Sequence, residues 1–101
     1  MGKRPEKHKD VLSRTRGRLA SGRYRDTRHV NERKNERCIS LPEVRQVIES
    51  GWHEKSKDEF KTEWQAWNYA IRGKTVDGRA LRIAVSFDEE DGLLMITAIE
   101  L

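Results

Sequence analysis

From Trp64 onward the chain adopts a period of two, and the two breaks in that pattern limit how it can fold. Trp67, Tyr69 and Ile71 alternate with Ala66, Asn68 and Ala70, while Leu81, Ile83, Val85 and Phe87 alternate with Arg82, Ala84 and Ser86. The run 93–99 is apolar on both faces, as expected of a central strand. Asp77-Gly78 and the acidic turn 88–92 join these segments as antiparallel hairpins. A two-residue Asp77-Gly78 loop would set Ile83 opposite Arg72 and Val85 opposite Ala70, splitting the apolar faces. A three-residue loop, Val76-Asp77-Gly78 with Gly78 left-handed at a bulge, instead pairs Ile71 with Ile83, Tyr69 with Val85 and Trp67 with Phe87. The three-residue loop is the expectation.

That register places Arg72 directly opposite Arg82 on the other face, with Asn68 opposite Ser86 and Ala70 opposite Ala84. Like charges opposed across a sheet destabilise it unless something neutralises them. Small neighbours around two arginines, with Lys74 close by, make a shallow cationic surface with room for a ligand. The alternative is that both arginines splay into solvent or pair with local carboxylates.

Ser40-Leu-Pro-Glu43 is a capping box with Pro42 in the first turn, and Leu41, Val44, Val47 and Ile48 follow as an apolar stripe at helical spacing. Gly51 terminates this helix. An earlier helix is expected from a cap at Asp26 or Thr27. On it His29, Arg33 and Arg37 recur every fourth residue and so form one ridge. Residues 52–63 are polar, anchored by Trp52 and Phe60, and suit a short edge strand or a loop.

Residues 1–23 hold only isolated apolar side chains among Lys, Arg, Ser and Gly, too few to offset the entropy of ordering. They are expected to be a disordered basic tail, with Arg14, Arg16 and Arg18 free to lie along phosphates, ahead of a single domain at 24–101. Charge follows the same division. Residues 1–37 carry 13 Lys/Arg against 5 Asp/Glu, and residues 38–101 carry 8 against 12. A basic front on a mildly acidic body favours a polyanionic partner, nucleic acid before a membrane surface. No apolar run approaches the roughly 20 residues of a membrane span. The single Cys38 excludes an internal disulfide and fits a reducing compartment, so the cytoplasm is expected.

His is suited to proton transfer near neutral pH, and Arg to holding phosphate oxygens. Together they can support metal-independent RNA cleavage, in which a base removes the 2′-hydroxyl proton, the 2′-oxygen attacks phosphorus and cations stabilise the added charge. His8, His29 and His53 lack ligand-like spacing, so no metal or other cofactor is expected. Trp64 and Trp67 can stack bases, with Trp67 expected in the core.

His29, Arg33 and Arg37, then Ile39-Ser40, a short helix ending at Gly51, a hairpin at Asp77-Gly78-Arg79 and a last strand with Ile96-Thr97 occur in an order that resembles the Domain of Unknown Function 4258 family of small bacterial and phage proteins. The resemblance covers about residues 26–100. Cys38 stands where that family commonly has Gly. It implies an α+β domain with two N-terminal helices packed on a three- to four-stranded antiparallel sheet. It further implies kinship with small metal-independent ribonucleases of the barnase–colicin–RelE type, many of them toxins. On that reading His29 is the general acid or base, Arg33 and Arg37 stabilise the phosphate, and Arg72, Lys74 and Arg82 hold the RNA backbone. The competing expectations are a non-catalytic nucleic-acid-binding module and a module that meets an acidic protein such as an antitoxin.

Overall fold

A computed structural model describes residues 4–28, 39–89 and 92–101. The order of elements is helix α1 (Val11–Ala20), strand β1 (Tyr24–Asp26), helix α2 (Leu41–Ser50), strand β2 (Trp52–His53), a 3-10 turn (Lys55–Lys57), and strands β3 (Glu59–Lys61), β4 (Ala66–Lys74), β5 (Ala80–Asp88) and β6 (Gly92–Glu100). The sheet has six strands in the order β1-β6-β5-β4-β2, with β3 also paired to β4. All pairings are antiparallel except β1 with β6, which is parallel.

The β4–β5 hairpin has the register of the three-residue loop. Tyr69 faces Val85, Ile71 faces Ile83, Ala70 faces Ala84 and Arg72 faces Arg82. The Thr75 N–H donates to the Arg79 carbonyl (2.9 Å), the Gly78 N–H donates to the Thr75 carbonyl (3.0 Å), and Gly78 has φ +85°. Arg79 then ties the hairpin to its surroundings, bonding Glu43 at the start of α2 and Glu100 at the end of β6.

The run 93–99 is apolar on both faces for a reason that alternation alone does not express. Ala84 pairs with Thr97 but Val85 pairs with Met95, which leaves Ile96 as the extra residue of a bulge. Leu93 and Met95 enter the core before the bulge and Ala98 enters it afterwards. Thr97 and Ile99 are thereby turned to the same face as Ile96, where all three line a cleft.

Helix α2 has the expected capping box: the Glu43 N–H donates to Ser40 Oγ, and the Ser40 N–H donates to Glu43 Oε1 (3.0 Å). Val44, Val47 and Ile48 are fully buried against Ile71, Leu81, Ile83 and Val85. Each such side chain contributes about 1.5–3 kcal/mol by leaving water. Gly51 ends the helix, though not in a left-handed conformation (φ −90°). It is required by close approach, since a Cβ there would lie 2.2 Å from the Arg72 carbonyl oxygen and 2.5 Å from that of Val47.

Two parts of the expected fold are corrected. The sheet is mixed and six-stranded, because β1, β2 and β3 are only two or three residues long and exist through their partners. A strand that short has no period to read. The segment expected to be a disordered tail contains α1, whose Val11, Thr15 and Leu19 recur every fourth residue and are buried. Thr15 is accommodated because its hydroxyl donates to the Val11 carbonyl one turn back (2.7 Å). The helix expected after Asp26 lies almost wholly outside the described residues, although the Asp26 carboxylate does accept the Arg28 N–H (3.1 Å), as a cap would. Among the described residues, no helix is long and apolar enough to cross a membrane.

Candidate nucleic-acid interface

Both helices contribute buried side chains to the core with Tyr69, Ile71, Leu81, Ile83 and Val85, so the alternate residues of β4 and β5 form the other face. It is open at half-buried Arg72, Arg82 and Ala84 and closed over Asn68, Ala70 and Ser86. Asn68, Ala70, Arg82, Ala84, Thr97 and Ile99 line a cleft of about 540 Å³ on that face. Lys57, Glu59, Lys61, Glu63 and Trp64 wall one side. Small side chains at 70 and 84 leave the space, and the bulge at Ile96 supplies its apolar part. Arg82 lines this cleft and Arg72 does not.

The two opposed arginines are not bare. Glu54 bridges them: Arg82 Nε donates to Oε1 at 2.8 Å, and Arg72 Nη1 donates to Oε2 at 3.2 Å. The hydrogen bond from Arg82, with that from Arg72 and both positive charges, holds the Glu54 carboxyl below its ordinary value against the opposing effect of its desolvation. Glu54 arrives because its N–H donates to the Ala70 carbonyl (2.8 Å) at the end of the short β2. No local pattern announces it, as it lies 18 residues from Arg72 and 28 from Arg82.

Two tryptophans flank this face. Trp64 is 55% exposed on the cleft wall. Trp52, an expected anchor of segment 52–63, is 53% exposed, and it stands opposite Arg72, whose guanidinium lies 5.9 Å from its ring. Trp67 packs, half-buried, against the core as expected, with Phe60 edge-on at 5.4 Å. Lys74 is exposed at the end of β4.

Arg14, Arg16 and Arg18 are on α1 and engage the protein. Arg16 donates to the Ile48 and Gly51 carbonyls (2.9 and 3.3 Å), placing its charge at the C-terminus of α2. Arg18 donates to the Gly92 carbonyl (2.9 Å), and Arg14 and Arg18 both stand over Phe87. Partial desolvation lowers the His8 pKa, and the charge of Arg14 and then of Arg18 lowers it further against the opposing charge of Asp10. Sequence reasoning also missed a buried pair: His53 Nε2 lies 2.8 Å from the Asp58 carboxylate. His29, Arg33 and Arg37 lie outside the described residues.

No curated protein and no solved structure matches this chain. Residues 27–100, which span β1's last neighbour through the end of β6, match the family model described as Domain of unknown function (DUF4258), and the chain belongs to that family.

Proposed function

We propose that this protein is RNA-directed and holds single-stranded RNA on the open face of its sheet. The observation that carries this reading is the cleft with exposed Trp64 on its wall and exposed Trp52 beside Arg72. Aromatic faces accept any base, and cations alongside them track the backbone, which is the chemistry of single-strand binding. Lys57, Lys74 and the outward parts of Arg72 and Arg82 supply those cations. Glu54 holds the two arginines by hydrogen bonds while RNA is absent. Cleavage is the further step of the same proposal, with His29 as acid or base and Arg33 and Arg37 on the phosphate.

Fluorescence anisotropy with a labelled 12-nucleotide RNA tests the binding step. Affinity should fall steeply between low and physiological salt, since each neutralised phosphate releases counterions. It should also fall in Arg82→Gln and Trp64→Ala. Absence of binding at low salt, or binding that neither substitution weakens, refutes the reading.

A further inference from the structure

Residues 4–8 form a strap on the opposite side of the sheet. The Arg4 guanidinium lies 5.2 Å from the Phe60 ring, and the Lys7 ammonium lies 5.1 Å from Trp67. The Pro5 carbonyl accepts the Trp67 indole N–H (2.8 Å), the His8 N–H donates to the Tyr69 hydroxyl (3.0 Å), and Lys7 Nζ sits 2.6 Å from Asp58.

The floor and the strap are built differently. The Asp58 side chain is 1% exposed and Tyr69 is 3% exposed, whereas Arg4, Pro5, Glu6 and His8 are all exposed. Asp58 is also fixed from below, accepting the Ala70 N–H (2.9 Å) and pairing with His53, whose ring meets Tyr69 edge-on. The strap lies on the outside of this floor, and a hollow of about 120 Å³ persists between Pro5, His8, Trp67 and Phe87. Asp58 keeps the Ala70 N–H and His53 as partners without the strap, and Lys7 adds the cation that a buried carboxylate favours. A buried carboxylate beside an indole face suits an ammonium in particular. The whole floor falls within residues 27–100 that match the family, and the strap falls outside them.

We propose that this groove, floored by Asp58, Phe60, Trp67, Tyr69 and Phe87, is a binding site for an extended basic peptide, occupied in cis by Arg4-Pro5-Glu6-Lys7-His8. A peptide with the same Arg-Pro-x-Lys spacing, supplied in trans, competes for it. The tethered strap prevails at ordinary concentrations because attachment gives it an effective concentration on the order of millimolar. The proposal is independent of RNA binding on the open face.

The test uses full-length Lys7→Gln and Arg4→Gln/Lys7→Gln chains and a synthetic peptide of residues 2–10. The Trp67 indole N–H is followed by NMR and the His8 amide by hydrogen exchange. Both variants should keep core amide protection, exchange the His8 amide about tenfold faster or more, and shift the Trp67 indole signal. Added peptide should return that signal saturably towards its wild-type position, and the peptide carrying Lys7→Glu should not. A Trp67 signal unmoved by Lys7→Gln overturns the proposal. So does a displaced signal that ignores the peptide, or one restored equally by the Lys7→Glu peptide.

Discussion

Arg72 and Arg82 stand directly opposite one another on β4 and β5, and the two oxygens of Glu54 are divided between them. The arrangement makes a like-charge pair tolerable in a sheet. It also leaves the pair dependent on one carboxylate. Removing that carboxylate should weaken the fold and strengthen anion binding together. Glu54→Gln is therefore expected to lower Tm while raising RNA affinity several-fold at low salt, about the effect of one added phosphate contact. Calorimetry and anisotropy on the same sample check it, and weaker RNA binding would show that Glu54 orients the arginines for RNA.

Acid should have a related effect. The Glu54 pKa is depressed from its ordinary 4.5 in the folded protein. Its contribution to stability is therefore complete above about pH 4.5, where the unfolded chain is also ionised, and is lost as pH falls through the lower folded value. Tm measured from pH 6 downwards should fall, and Glu54→Gln should fall less steeply over the same window.

Exposed Trp64 separates binding from folding. Trp64→Ala should change stability by no more than about 0.5 kcal/mol. If one base stacks on it, RNA affinity should drop by about 1–3 kcal/mol. Chemical denaturation and anisotropy measure the two effects, and an unaltered affinity would remove Trp64 from the interface.

Leu19 tests whether α1 belongs to the folded unit. Its side chain is 3% exposed in the core, so Leu19→Ala should cost about 2–4 kcal/mol. In a disordered tail the same change would be silent in urea denaturation.

The two glycines at the ends of this sheet should respond differently. Gly78 is in open space at φ +85°, so Gly78→Ala costs only its backbone conformation, about 1 kcal/mol. Gly51→Ala drives a methyl into the Arg72 and Val47 carbonyls and should cost about 3 kcal/mol. Equal losses would contradict the close approach of α2 to β4.

His29→Ala addresses cleavage directly. RNA incubated in excess chelator should be cut by the full-length protein and left intact by the variant, with RNA affinity retained. Cleavage that persists in the variant would remove His29 from the acid–base role.

Local chemistry made part of this protein readable from its residues. Ser40 and Glu43 mark the start of α2 because a capping box is completed within four residues. The β4–β5 register follows from alternation combined with the left-handed turn that Gly78 permits, and Arg72 opposite Arg82 follows from that register. These features depend on neighbours a few positions apart, or on one hairpin that carries its own phase. What happens to the two arginines depends on Glu54, brought in by the Ala70 carbonyl from another strand. The inclusion of α1 depends on a threonine that hides its hydroxyl only once the helix exists. The exposure of Trp52 and the Lys7–Asp58 contact likewise arise where segments far apart in the chain meet. Pairing and burial at such distances are settled by packing the whole sheet, and no short stretch of residues encodes them.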